Sequence, residues 1–483
     1  MFSTWRHLDL RPSGRKRRVV SILALAALLM AGVVGFRSLA MERGALAAAD
    51  AASRGSEVDE GMAEYVIYIN WDAFRRDYYD WANDEGAPGT PNLNYLVSRG
   101  ALFTSAHNGF PGITNPMQTS IVTGAWPAVH GNVYRYYDVS ENIVRGTGRT
   151  CEAETIAEVA AASGLSTASV QQFMLLGRGT ADNDPMHLYI QPGVRFEERV
   201  VEAVKIIRNE PVRTQTGAMV SSVEIPRFLA IYGDDLDAAG HNATSAYGTP
   251  IALTFDEWKA KMVKEVVRMD AALSPLMDAL REAEIMDRTA IILTADHGMT
   301  PYTGQSSLSD LIRVFQGLGY KSKALYSDQK APEGVDVVLV GTGISVQVYF
   351  RRTLGPDEYR KVVETISAQP YVGGCLTRED LDAMGAHSRS GDLAVWSNPP
   401  SHFAYRNVAF GVGGNHDTCH PSSRNVFLLV SGAGVQHGVV VDDPVEIIDV
   451  APTISRLLGI RPPAQATGRV LEEALLPAAV LVR

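Results

Sequence analysis

Cysteine is scarce: 483 residues contain three, Cys151, Cys375 and Cys419, with no CxxC pair and no zinc-finger spacing. That excludes a disulfide framework and a cysteine-based metal site. One bridge remains open in an exported chain, with Cys375 and Cys419 as the expected pair and three unlinked thiols as the competing reading. An excess of positive charge is also missing. Lys and Arg number 44 against 54 Asp and Glu, a net charge of −10, which is no electrostatic footprint for nucleic acid. No period of about 20 to 50 residues recurs, so a solenoid or propeller is excluded. With 46% hydrophobic and 20% charged residues the composition is that of a globular chain, not a disordered one. The length suits two or three units, or one large α/β core carrying insertions.

The basic residues that do occur are concentrated at the start. Arg6, Arg11, Arg15, Lys16, Arg17 and Arg18 precede an apolar run from Val19 to Phe36. Positive charge stays on the cytoplasmic side while an apolar segment enters the bilayer, so this pattern predicts an export signal. Ser38-Leu39-Ala40 and Ala45-Leu46-Ala47 offer small-residue cleavage sites. At roughly 18 residues the run sits at the lower edge of a spanning helix, and a retained membrane anchor through residues 19–36 is the equal alternative. The expected location is periplasmic or extracellular. Removing about 45 residues takes away eight basic and two acidic side chains and moves the net charge from −10 to about −16. An anionic substrate then needs a local source of positive charge, which metal ions supply.

Residues 48–60 are small and polar and read as a linker. Folded sequence begins with Glu64–Asn70, a continuous apolar run of the kind buried in a parallel sheet. Ala290–Thr294, Phe228–Tyr232 and Val426–Val430 are further strands, and Phe255–Leu280 is an amphipathic helix with Met262, Val266, Met269, Leu273, Leu276 and Leu280 on one face. Strands alternating with helices predict an α/β fold, a mostly parallel central sheet with helices on both faces. Between 301 and 388 the pattern changes. Val335–Val340 and Ile344–Phe350 flank Gly341-Thr342-Gly343 as a hairpin, and Asp357–Ala368 is a helix. The expected organisation is 1–60 signal or anchor and linker, 61–300 catalytic core, 301–388 a small α+β insertion, and 389–483 the core again, resuming near Gly391–Val395.

Acidic and histidine residues follow the strands. Asp72 comes just after the first, Asp296-His297 after the Ala290 strand, Asp237 and His241 after the Phe228 strand, and His416 shortly before the Val426 strand. In a parallel sheet ligands bind at the carboxyl ends of the strands, and mixed carboxylates and imidazoles suit zinc or a similar first-row metal. Each signal alone has a plain structural reading: an Asp-His pair is commonly a surface turn, and Asp237 with His241 is enough to cap a helix. Their joint placement on one rim is what points to a site. Thr114, in Phe110-Pro111-Gly112-Ile113-Thr114-Asn115-Pro116, falls at a predicted helix N-terminus, where free N–H groups and the dipole favour an anion. A simple N-cap is the competing reading.

These pieces together resemble the alkaline phosphatase superfamily, in its type I phosphodiesterase and nucleotide pyrophosphatase branch. The matching segments are Asn70–Arg75, Thr90-Pro91-Asn92-Leu93 with Leu96 and Gly100, Thr114 with Pro116, Ile121–Gly124, Pro127 with His130-Gly131, Asp237 with Gly240-His241, Thr294 with His297-Gly298, and Ile448–Thr453 with Leu457–Ile460. They run from about residue 64 to 472 and leave 301–388 unmatched. The resemblance implies two zinc ions, or other divalent metals. By position, Asp237, His241 and His416 would hold one, and Asp72, Asp296, His297 and Thr114 the other. His416 is preferred to His420 because it follows the glycine-rich Gly413-Gly414-Asn415, and His130 reads as structural. The implied activity is hydrolysis of phosphodiester or pyrophosphate bonds in a small phosphorylated substrate, through a phospho-threonine intermediate.

Two departures bear on substrate. Arg135 stands where diesterases carry an asparagine that binds a phosphoryl oxygen; Asn132 is the nearby amide able to take that role, and Arg135 itself would favour a more highly charged monoester. Met117 also replaces a common asparagine. The sulfatase branch fits less well, since Thr114 and Gln118 occupy its Cys/Ser and Arg positions. A phosphomonoester or phosphonate hydrolase, a phosphoryl transferase, and a catalytically silent metal-binding envelope domain remain the alternatives. Tyr134, Tyr136 and Tyr137 read as packing aromatics or as a stacking surface.

Overall fold

The computed structural model describes residues 61–242, 248–405 and 407–477. The export segment, the anchor at 19–36 and the linker lie outside the described residues. Among the described residues no helix is long and apolar enough to cross a membrane.

Two-stranded ribbons aside, the strands in chain order begin with β1 (Tyr65–Trp71), β2 (Gly100–His107), β3 (Thr167–Val170), β4 (His187–Ile190), β5 (Phe228–Gly233) and β6 (Thr289–Thr294). There follow β7 (Ser322–Leu325), β8 (Val337–Thr342), β9 (Ser345–Phe350), β10 (Val372–Thr377) and β11 (Leu393–Ser397), then β12 (Asn425–Gly432), β13 (Val439–Val441) and β14 (Val445–Glu446). Nine of them form one sheet in the order β13-β2-β12-β6-β1-β5-β3-β4, with β14 beside β2. Every pair is parallel except the two that β12 makes with β6 and β2. This is the expected mostly parallel sheet. The strands are unbroken apolar runs because helices cover both faces. Val66 to Trp71 and all of β5 and β6 are buried.

Helix Phe255–Glu282 is the longest of the covering elements and closely matches its predicted span. Thr254 caps it by accepting a hydrogen bond from Glu257 N. Trp258, Met262, Val266, Met269, Leu273, Leu276 and Leu280 form its buried stripe.

A second sheet has the order β7-β8-β9-β11-β10. Helices Leu308–Gly317 and Pro356–Ser367 close a core of its own around Leu311, Phe315, Val346, Val348, Val362, Ile366 and Val395. Two expectations need correction here. The hairpin turns at Gly343-Ile344, so Gly341 and Thr342 pair within β8. The apolar run at Gly391–Val395 is not the core resuming. Leu393–Ser397 is β11, inserted between β9 and β10, and the main sheet resumes only at β12. A strand buried inside a small, mostly antiparallel sheet has the same apolar run as a parallel core strand, so hydropathy alone does not separate them. The expected bridge is also absent: Cys151, Cys375 and Cys419 are all free. Cys375 lies in β10 and Cys419 in the loop after His416, on separate elements.

Candidate metal centre

Topology explains why remote residues meet. β1 lies between β5 and β6 with Asn70 opposite Thr294 and Trp71 opposite Gly233. Three parallel strands therefore end level with one another, and Asp72, Asp296-His297 and the helix Asp235–His241 leave the same rim. β2 runs the same way, so Thr114 also follows on that side. The reversed direction of β12 brings the chain back to this rim before it enters the strand, which delivers His416.

Immediately after Asp72 the backbone turns through Ala73 at φ 65°, a left-handed conformation costly for a residue with a Cβ. Strain of this kind is what a fixed site tolerates. Tyr232, on β5, donates its hydroxyl to Asp72 Oδ2. The other oxygen, Oδ1, lies 3.2 Å from His297 Nε2. Asp296 Oδ1 accepts from His297 N at 3.0 Å and from Ala73 N at 3.4 Å. Its Oδ2 is 3.6 Å from His297 Nε2. Asp237 Oδ1 lies 3.3 Å from His241 Nε2 and 3.7 Å from His416 Nε2.

The imidazoles are oriented by backbone carbonyls. His241 Nδ1 is 2.9 Å from Gly414 O, His297 Nδ1 2.9 Å from Gly298 O, and His416 Nδ1 3.0 Å from Gly112 O. A carbonyl only accepts, so each Nδ1 carries a proton and Nε2 is the ring nitrogen turned inward. Facing those nitrogens are Asp72 Oδ1, Asp237 Oδ1 and Asp296 Oδ2, buried oxygens with no hydrogen-bond partner. Buried carboxylates crowded together are repulsive unless cations lie between them. The donor set therefore fits divalent metals. Two compact groups of potential ligands result, Asp72-Asp296-His297 and Asp237-His297-His416. His297 takes part in both, whereas His241 joins through Asp237.

Burial and the charge of Asp296 push the Asp72 carboxyl well above the usual carboxylate range. Burial would also raise Asp237, but the surrounding imidazoles, His241 foremost, outweigh it and hold Asp237 low. Burial and His297 press His416 well below the usual imidazole range.

Thr114 is the first residue of helix Thr114–Thr123, with Ile113 as its N-cap. It is therefore not a capping side chain. Its Oγ1 lies 3.1 Å from His297 Nε2, half-buried at the positive end of the helix dipole. The loop before it is locked to the His416 loop: Gly112 N donates to Asp417 Oδ1 at 2.8 Å, and Asp417 N donates to Gly112 O at 3.0 Å. One turn along the helix, Gln118 Nε2 donates to Asn70 Oδ1 at 2.6 Å, and Gln172 Nε2 donates to Gln118 Oε1 at 2.8 Å. This buried amide chain fixes the helix against the end of β1. Close approach matters at Gly414, where a Cβ would lie 2.0 Å from Gly240 O. Trp258 Nε1 donates to the same carbonyl at 2.9 Å, holding the Asp237 helix down.

The structure thus brings Asp72, Thr114, Asp237, His241, Asp296, His297 and His416 together. It does not bring Asn132 or Arg135 into contact with them. Asn132 is fully buried, its amide oxygen accepting from Thr147 Oγ1 at 2.9 Å and its nitrogen donating to Thr119 Oγ1 at 3.3 Å. Arg135 donates to Gly341 O at 3.0 Å and lies over the Tyr134 ring. His130 is buried against Ser120, and His420 accepts from Ser422 N as the cap of helix Pro421–Arg424. Tyr232 was not singled out by sequence; its only signal was its place five residues before Asp237 at a strand end.

Comparisons with known proteins show the family and the fold. Residues 66–416 match the family described as type I phosphodiesterase / nucleotide pyrophosphatase. The match crosses 301–388 and stops short of the Ile448–Ile460 segment. Ectonucleotide pyrophosphatase/phosphodiesterase family member 3 of Bos taurus is 26% identical over 246 residues, 48% of this chain and 25% of that protein. Alkaline phosphatase PafA of Elizabethkingia meningoseptica is 24% identical over 272 residues, 52% of this chain and 46% of that protein. The chain thus matches between a quarter and about half of the length of these relatives. Among solved structures, murine ectonucleotide pyrophosphatase/phosphodiesterase 5 superposes with a TM-score of 0.58 at 16% identity, covering 85% of this chain and 100% of that one. The human protein of the same name gives 0.55 at 20% identity, covering 82% and 96%.

Proposed function

Because this chain belongs to the type I phosphodiesterase / nucleotide pyrophosphatase family, we propose that it hydrolyses phosphodiester or pyrophosphate bonds with Thr114 as nucleophile. One observation carries the reading: Thr114 Oγ1 stands 3.1 Å from His297 Nε2, beside three buried carboxylate oxygens that lack any donor. Zinc is the metal best matched to this mixture of imidazole and carboxylate. Asp72, Asp296, His297 and Thr114 would hold one ion, and Asp237, His241 and His416 the other. When bound, the two cations supply the positive charge that acidifies the threonine hydroxyl and accepts charge from the leaving oxygen.

Thr114 gives up its proton to solvent and attacks phosphorus in line, forming an Oγ–P bond as the bond to the leaving oxygen breaks and that oxygen takes up a proton from solvent. The helix N-terminus faces the phosphoryl oxygens with free N–H groups. Water then attacks the phospho-threonine, returning the hydroxyl and releasing the phosphorylated product. Gln118, Asn70 and Gln172 keep the nucleophile from shifting relative to β1. Arg135 donates one hydrogen bond to Gly341 O, which supports the diester reading over the monoester one. The relatives' description as ectoenzymes supports an exported enzyme acting on small phosphorylated molecules.

The test is metal content together with turnover of bis(p-nitrophenyl) phosphate and p-nitrophenyl phosphate. We expect two zinc ions per chain, preference for the diester, and a fall in kcat of at least about a thousandfold in Thr114→Ala. Two bound zinc ions with no turnover of either ester would instead establish a silent metal-binding domain.

A further inference from the structure

Gly112 is gripped from both sides by the segment that starts at His416. Its N–H donates to Asp417 Oδ1 at 2.8 Å. Its carbonyl accepts from Asp417 N at 3.0 Å and from His416 Nδ1 at 3.0 Å. Gly112 stands two residues before Thr114 and directly before Ile113, the N-cap of the Thr114 helix. The His416-Asp417 segment is held in turn by the smaller sheet, through the turn between β8 and β9. Ile344 N donates to His416 O at 3.1 Å, and the Ser345 hydroxyl donates to Asp417 O. The turn comes so close that a Cβ on Gly343 would lie 2.0 Å from His416 O. Three segments remote in sequence therefore meet at Asp417: the loop before the nucleophile, the loop of a candidate metal ligand, and a hairpin of the 301–388 region.

Asp417 is fully buried, its backbone sits at φ 63°, and among the described residues no cation pairs with it. An unpaired buried carboxylate is unfavourable, and unusual backbone of this kind gathers where geometry must be held. What the carboxylate supplies is a charge-assisted acceptor, which grips an N–H more strongly than a neutral one. We propose that Asp417 is a positioning residue: by fixing Gly112 it sets Thr114 and His416 at their working separation, with the β8–β9 turn as its support. This rests on the reading of Thr114 as the nucleophile. The hydrogen bond from His416 Nδ1 to Gly112 O orients the ring, so a Gly112 released from Asp417 would misplace the hydroxyl and one metal ligand together. Asp72, Asp296 and His297 depend on strand register and would not follow. The smaller sheet thereby has a part in the chemistry without lending a residue to it.

The full chain can be compared with its Asp417→Gly, Asp417→Asn and Ser345→Ala variants. Glycine removes the acceptor and is at ease at φ 63°, whereas asparagine keeps an uncharged acceptor. Competition with a chelator should show one of the two zinc ions held at least about tenfold more weakly in Asp417→Gly and the other within about threefold of wild type. With zinc saturating, kcat for bis(p-nitrophenyl) phosphate should fall at least about tenfold while KM stays within about threefold. Asp417→Asn should recover part of both losses. Ser345→Ala should loosen the same zinc ion to a smaller extent, and it decides the matter if Asp417→Gly does not fold: unchanged zinc affinities there overturn the proposal. A residue that only supports the fold would lower Tm and weaken both zinc ions alike, with kcat per folded chain unchanged. That outcome, or an asparagine variant no better than the glycine one, also overturns it. A wild type that binds two zinc ions and turns over no ester removes the hydrolase reading, while the zinc affinities still decide whether Asp417 positions His416. A wild type that binds no zinc removes both.

Discussion

Asp72, Asp296 and His297 follow the ends of two hydrogen-bonded strands, and their side chains are 2, 0 and 0% exposed. Asp237, His241 and His416 come from a short helix and a loop and are 21, 32 and 9% exposed. The first group is positioned by backbone register, which leaves it little freedom to lose on binding a metal. The second depends on packing of separate segments, the Asp237 helix against Val408–Asn415, the strand that leads into His416. Register is a cooperative property of the whole sheet, whereas a loop contact can be loosened by one side chain. The buried group should therefore act as the firm half of the site and the other as its adjustable mouth.

Removing one ligand from each half is the strongest way to break that comparison. Asp296→Ala is expected to lower diester turnover by at least about a thousandfold. His241→Ala should cost only about ten- to a hundredfold and weaken the more loosely held zinc by a similar factor. Graded chelation followed by metal analysis would show whether zinc leaves in two steps, with the His241 side first. Equal losses in the two variants would abolish the distinction. A smaller effect is expected from Gly414→Ala, since its Cβ would meet Gly240 O at 2.0 Å. It should cost about 1–3 kcal/mol of stability, read as a lower Tm, and loosen the His416 half while sparing the strand-end half.

The smallest effect lies far from the site. Glu154 accepts from both Arg461 Nη atoms at 2.6 and 2.7 Å. That pairing holds its carboxyl below the usual range. A depressed folded pKa stabilises above the unfolded value and is lost as pH falls through the folded one. Glu154→Gln should therefore cost no more than about 1 kcal/mol near neutrality, because solvent screens the pair, and the gap should close in acid. Thermal melts at several pH values check it.

Much of this was legible beforehand. Apolar runs without alternation marked β1, β5 and β6 as buried parallel strands, and the polar residue types clustered just after them. Period alone also placed the long helix, read as Phe255–Leu280 and found as Phe255–Glu282. Illegible were features that depend on neighbours distant in sequence. β11 looked like core because burial on two faces leaves the same trace in either sheet. Arg135 stood at a suggestive offset, yet the carbonyl that claims it, Gly341 O, comes from the smaller sheet. Tyr232 carries no motif; it is defined by the carboxylate it steadies.

The amino-acid order by itself determined the strand type, the helix stripe and the supply of carboxylates, imidazoles and a hydroxyl, because these follow from local periodicity and chemical type. Only the tertiary structure decided that His297 stands in both ligand groups, that the reversed β12 returns His416 to the same rim, and that Arg135 turns to Gly341 O. Each of these is a distance between segments remote in sequence, set by register and packing, which local pattern does not encode.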